Sequence, residues 1–163
     1  MKIGVIIIFH NNQDEIYTDE LIQTIKSIDD IELCFVDNES RDKTLEKLRE
    51  IKESCNNVSI VEIKKHITQQ AAKRAGARYV FNNFDLRHIG YLDVNVLKAH
   101  HYNFNEVVKS LSRDKEVIIE FNKEIKRQQT VKPTLFKSVF SLLEFLRSKN
   151  IDKIGATINL IKV

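Results

Sequence analysis

Glycine and proline are scarce, with four Gly and one Pro in 163 residues. So little of either leaves no room for a long flexible or proline-rich linker. Tryptophan is absent and cysteine occurs twice. Cys34 falls in a predicted strand and Cys55 at a predicted helix end, so both read as reduced thiols rather than a disulfide framework. That placement suggests a cytoplasmic protein. No apolar run reaches the roughly 20 residues needed to cross a bilayer. The start, Met1-Lys2-Ile3-Gly4, carries no small-residue cleavage site, so no signal peptide is expected. Neither a GxGxxG loop nor a Walker pattern is present, which argues against dinucleotide and P-loop chemistry. No Cys or His pair has structural-zinc spacing, and no serine elbow is visible. A net charge of +3 is too mild to imply nucleic acid.

What the chain does have is 42% hydrophobic and 30% charged residues, the balance of a globular protein. Its length favours one domain with a real core. The stretch Leu33-Cys34-Phe35-Val36-Asp37-Asn38-Glu39-Ser40-Arg41-Asp42-Lys43-Thr44 organises the rest. It opens as an apolar, strand-forming run, breaks into small polar residues, and continues with Leu45, Leu48, Ile51 and Cys55 at helical steps. It reads as a buried strand, a loop and a helix start that Ser40 or Asp42 can cap.

In chain order, Ile3–Phe9 is an almost unbroken apolar run, suited to a central strand covered on both faces. It ends in His10-Asn11-Asn12, and Asn12 with Glu15 matches a helix start. Ile16, Leu21, Ile25 and Ile28 supply that helix's inner face. A strand at 31–36, a helix at about 41–54, a strand at 58–63 and a helix from Ile67 through Tyr79 follow. The Ala-rich face of the last suits close packing on a sheet. A fourth strand, 88–92, runs into Asp93-Val94-Asn95. The pattern β-α-β-α-β-α-β implies a parallel sheet with helices on both faces. Strand ends at 10–12, 37–38 and 93–95 should converge on one edge, where ligands bind in such sheets.

Beyond residue 97 the pattern predicts a helix around Phe104, Val107, Val108 and Leu111, and a strand over Val117–Phe121. It predicts a basic loop from Asn122 to Lys132, a helix from Pro133 to about Lys149, and a last strand over 156–163. The basic stretch reads as a solvated loop that could also touch an anionic membrane surface.

Four pieces of the chain resemble family-2 glycosyltransferases of the GT-A fold. They are Val5-Ile6-Ile7-Ile8-Phe9-His10-Asn11-Asn12, Phe35 through Leu45, Ala72-Lys73-Arg74-Ala75-Gly76, and Tyr91-Leu92-Asp93-Val94-Asn95. The resemblance implies a single GT-A-like, Rossmann-like α/β domain. Residues 1–97 would be its nucleotide-sugar-binding half and 98–163 a shortened C-terminal half. It implies sugar transfer from a UDP- or GDP-linked donor to an unknown acceptor, with Mg²⁺ or Mn²⁺. It places Phe9, His10 and Asn11 beside base and ribose, Asp37 and Asn38 in the family's Asp-Asp-Gly-Ser, and Lys73 near the diphosphate. Asp93 and Asn95 would contact ribose and metal.

The departures are Asn38 and Asn95, each for a usual Asp, Glu39 for a Gly, and Arg74 where Asn is usual. Glu120 and Glu124 are candidate catalytic bases by position alone. The alternative is a degenerate relative that binds a nucleotide or a partner chain, or self-associates, without turnover.

Overall fold

The structure is a computed structural model that describes residues 1–130, 134 and 136–150. Its centre is β1 (Ile3–Phe9), in which all seven residues are buried. Alternate side chains of a strand point to opposite faces. Ile3, Val5, Ile7 and Phe9 therefore join one core and Ile6 and Ile8 another. Fully burying one such side chain contributes about 1.5–3 kcal/mol, so β1 anchors both faces.

The other strands are β2 (Ile31–Asn38), β3 (Val58–Ile63), β4 (Ile89–Asp93) and β5 (Phe140–Ser141). They form one sheet in the order β3-β2-β1-β4-β5. Every pairing is parallel. The first core packs on α1 (Thr18–Lys26), α2 (Thr44–Ser54) and α5 (Phe104–Arg113), and takes Ile118 and Ile119 from α6 (Lys115–Gln128). The second packs on α3 (Gln69–Asn83) through Ala72, Ala77 and Val80. The short α4 (Val94–Ala99) leads directly out of β4. Strand order reverses between β1 and β4, and the crevice at the carboxyl ends there is the switch point of the sheet.

Gly76 shows why α3 is rich in small residues. A Cβ there would lie 2.6 Å from Ile6 Cγ2 and 2.9 Å from Val36 Cγ2. The helix sits so close to the sheet that only hydrogen fits.

The four early strands and the three long helices between them follow the sequence pattern closely, with differences at two helix starts: α2 begins at Thr44, whose N–H donates to Asp42 Oδ1 at 2.9 Å, and α1 begins late. Asn12 does not start that helix. It closes a turn, with the Glu15 N–H donating to Asn12 O, and the helix begins at Thr18. All four residues expected on its inner face are buried, but only Leu21 and Ile25 lie on α1; Ile16 precedes the helix and Ile28 follows it.

The C-terminal half departs further. The expected strand over Val117–Phe121 and loop from Asn122 are together one helix, α6. Its buried residues Ile118, Ile119 and Asn122 recur at helical steps. The helix expected from Pro133 is instead a 3₁₀ turn at Phe136–Ser138, the strand β5, and a helix α7 over 142–150. Val139, Leu142, Leu143 and Leu146 pack inward as expected, and Leu135, the fifth residue expected there, lies outside the described residues. The strand expected over 156–163 lies outside the described residues. Both cysteines are free and buried, and burial pushes the Cys34 thiol up to about 12. No helix of the described residues is long and apolar enough to cross a membrane.

Candidate functional site

The carboxyl ends of β1, β2 and β4 meet, and short polar side chains bind them together. Asn12 is completely buried. Its N–H donates to Thr44 Oγ1 at 2.7 Å, its Oδ1 accepts the His10 N–H at 2.7 Å, and its Nδ2 donates to Asn95 Oδ1 at 2.7 Å. Asn95 returns the contact, donating from Nδ2 to His10 O at 3.0 Å. One pair of amides thus ties the end of β1 to the start of α4.

A second amide does the same for β2. Asn38 Nδ2 donates to Ile67 O at 2.8 Å, and its Oδ1 accepts the Ile67 N–H at 3.0 Å. Both backbone groups are fixed donors or acceptors, so the amide orientation follows. An Asp could not make this pair of bonds, since an ionised carboxylate only accepts. At both positions where the resembling family has an acid, this chain uses an amide's donor side internally.

Asp37 lies at the heart of the edge and is 1% exposed. Its Oδ2 accepts the Ser40 N–H at 3.3 Å. Its Oδ1 is buried with no hydrogen-bond partner among the described residues. A buried acceptor without a donor is uncommon and costs free energy, roughly 1–3 kcal/mol. The neighbouring Glu39 occupies the left-handed region at φ 53°. This is where Gly is usual in the resembling family, and only Gly adopts it without strain. The His66 N–H donates to Glu39 Oε2 at 2.7 Å, and chiefly through that bond the carboxyl is held below its ordinary range.

His10 and Asn11 rim the edge. His10 Nδ1 lies 2.7 Å from Asn38 O, and His66 Nδ1 lies 3.4 Å from the same oxygen. The two rings are 4.5 Å apart, so His66 shares the rim. His66 belongs to no motif of the chain, and only the fold brings it here. Asn11, at φ 54°, accepts the Arg41 N–H and donates its own N–H to Ser40 Oγ. The Phe9 ring points the other way. It is fully buried, edge-on to Phe35 at 5.3 Å and to Phe104 at 5.5 Å.

Asp93 caps α4, its Oδ1 accepting the N–H groups of Asn95 and Val96 at 2.9 and 3.2 Å. Its Oδ2 accepts from Gln69 Nε2 at 3.2 Å. Lys73 lies one turn further along α3, with Nζ 4.7 Å from the centroid of the Tyr91 ring. Burial, then the nearby Arg74 charge, lowers its pKa. Glu120 and Glu124 are apart from this edge in character. They lie on the exposed face of α6 and pair with Lys123 and Arg127.

A hard divalent cation takes about six oxygen ligands. Here Asp93 supplies the one carboxylate of the Asp93-Asn95 pair, and its oxygens already accept three N–H groups. The Asn95 oxygen is held by Asn12. As arranged, this donor set does not fit such a cation, which would have to displace the Asn12–Asn95 bond. No group of three or more His, Cys, Asp or Glu among the described residues could hold a metal.

In a parallel α/β sheet the switch point is where ligands bind, and here it gathers the polar ends of β1, β2 and β4. Residues 4–126, more than half of the chain, match the family described as "Glycosyl transferase family 2". The chain belongs to that family, and its α/β architecture is the GT-A-like one. No curated protein matches it.

Similar solved structures include a mannosyltransferase, PcManGT, from Pyrobaculum calidifontis in complex with GDP-Man and Mn²⁺. It has 21% identity, covers 48% of this chain and 24% of its own, and gives a TM-score of 0.41. TarS 1–349 from S. aureus has 19% identity, covers 62% and 31%, and gives 0.44. The same protein in complex with UDP-GlcNAc has 18% identity, covers 62% and 30%, and gives 0.42. The chain spans less than a third of the length of these proteins.

Proposed function

We propose that the chain is the nucleotide-sugar-binding part of a glycosyltransferase, taking a UDP- or GDP-linked donor at the carboxyl edge of β1, β2 and β4. The observation that carries this reading is the buried, unpartnered Oδ1 of Asp37 at that edge. A base N–H or a ribose O–H supplies the donor this oxygen lacks. His10, Asn11 and His66 would flank the base, and Asp93 would accept from the ribose when Gln69 gives way. Transfer in such a site depends on positioning the sugar and stabilising the leaving diphosphate. No acceptor-side base follows from the geometry. Mg²⁺ or Mn²⁺ has no ready cage at Asp93 and Asn95, so the charge of the diphosphate falls first to side chains such as Lys73.

One arrangement favours a second reading, a relative that binds nucleotide without turnover. The amides of Asn38 and Asn95 are spent on internal bonds. The two readings separate in a donor-hydrolysis assay with UDP- and GDP-sugars. Sugar release that disappears in Asp93→Ala supports the enzyme. Nucleotide binding with no release from any donor supports the second reading.

A further inference from the structure

Glu39 stands in the loop that leaves β2, two residues after Asp37, at a φ of 53°. A side chain in this left-handed region strains the backbone, whereas Gly does not. The position is firmly held, the Glu39 N–H donating to Ile63 O at 3.0 Å. Strain that the surroundings hold in place gathers at ligand sites, so this outlier points to a use for the Glu39 carboxylate. The Gly usual here in the resembling family has no side chain to offer.

The carboxylate lies at the rim of the donor edge. Its Oε2 accepts the His66 N–H at 2.7 Å, and the His66 ring centroid is 4.5 Å from that of His10. Its Oε1 accepts from the mostly exposed Arg41 guanidinium at 3.4 Å. The bond from His66, above all, holds the carboxyl below its ordinary range, so it is ionised at neutral pH. An ionised carboxylate has about four acceptor sites. Among the described residues two are taken, one on each oxygen, and each oxygen keeps another.

Nucleobases differ in what they bring to such a pair of oxygens. Guanine presents two adjacent donors on one edge, N1–H and the 2-amino group. Uracil presents one N–H between two carbonyl oxygens. Cytosine and adenine each present one amino group beside a ring nitrogen that accepts. A carboxylate therefore makes two parallel bonds to guanine, the strong bidentate arrangement. Against the other bases it makes one bond and meets an acceptor beside it, which disfavours them.

Resting on the donor-edge reading, we propose that Glu39 selects a guanine nucleotide, its two oxygens accepting from N1–H and the 2-amino group. The unpartnered Oδ1 of Asp37 is then left to a ribose hydroxyl. The donor is thereby GDP-linked rather than UDP-linked.

Calorimetric titration of GDP, UDP and inosine diphosphate into the full chain tests this, repeated on Glu39→Gly and Glu39→Gln. Inosine diphosphate is GDP without the 2-amino group, with ribose and both phosphates kept. Wild type should bind GDP at least about tenfold more tightly than either of the others, the usual effect of a hydrogen bond to a charged group. Glu39→Gly should bring GDP down to the affinity of inosine diphosphate. That variant also relieves the left-handed strain, which guards the measurement against a folding artefact. Glu39→Gln should lose most of the preference, since its amide keeps one acceptor oxygen. A purely structural Glu39 would weaken all three nucleotides alike in the variants and leave their ratios unchanged. Equal affinity of wild type for GDP and inosine diphosphate, or a ratio unchanged in Glu39→Gly, overturns the proposal and leaves the donor edge standing. Binding of none of the three overturns the donor-edge reading and the proposal with it.

Discussion

Replacing Asn38 by Asp restores the acid usual in the resembling family and should damage this protein. The side chain is 3% exposed and bonded twice to the Ile67 backbone. In Asn38→Asp the Ile67 N–H keeps its acceptor. The Ile67 carbonyl loses its donor at 2.8 Å and faces a carboxylate oxygen instead. The lost bond costs about 0.5–1.5 kcal/mol, and a buried acceptor left unsatisfied about 1–3 kcal/mol. The sum is about 1.5–4.5 kcal/mol at neutral pH, or about 3–18 °C of melting temperature in a chain of this size.

The pH dependence identifies the cause. Burial and the facing carbonyl raise the folded-state pKa of the new Asp above its unfolded value of about 3.9. A protonated Asp can donate to the Ile67 carbonyl again. The deficit should therefore be full above the raised pKa and shrink as pH falls towards the unfolded value. Urea denaturation of wild type and variant at pH 7 and pH 4.5 measures this. A variant within about 0.5 kcal/mol of wild type at pH 7 would refute the reasoning, since that is the scatter of an indifferent surface change.

Asp37→Asn removes the unpaired buried oxygen's charge, so it should leave the melting temperature unchanged or raised while weakening UDP or GDP binding at least about tenfold. A stability loss with intact binding would contradict the role given to Asp37. Gly76→Ala gains about 1 kcal/mol of helix propensity, but overpacking against Ile6 and Val36 costs about 1–3 kcal/mol. Thermal melting should show a net loss, and a rise would show that α3 can move away. Burial raises the pKa of Asp114, but hydrogen bonds from Lys149 and Arg113, with their charges, bring it below its ordinary value. Its contribution is present above the unfolded pKa and lost as pH falls through the folded one. Asp114→Asn should be less stable at pH 7, with the gap closing on acidification, as followed by denaturation at several pH values.

The sheet was legible because its signals are physical and local. β1 is buried on both faces, so Ile3–Phe9 reads as an unbroken apolar run. The helices α1 and α2 repeat their buried residues at three and four steps, and turn residues separate the elements. α6 was hidden by its own composition. Val117–Phe121 is apolar enough for a strand, and a run that short does not distinguish the two periods. Asn122, polar but buried, breaks the helical stripe because it meets His88 at 2.7 Å. β5 is two residues long and carries no period at all.

At the site, the convergence of residues 10–12, 37–38 and 93–95 followed from topology. What each side chain does there did not. Phe9, placed beside base and ribose by the resemblance, is core. Asn12, Asn38 and Asn95 look like ligand contacts, and their hydrogen bonds run to the protein, which only tertiary structure reveals.

The most direct test of the donor-edge account is calorimetric titration of UDP and GDP into the full chain, first with Mn²⁺ and then with EDTA, repeated on Asp93→Ala. The account predicts that one nucleotide binds, that EDTA changes its affinity little because Asn95 is held by Asn12, and that Asp93→Ala weakens it. Absence of binding to either nucleotide, or binding that ignores Asp93, would contradict it.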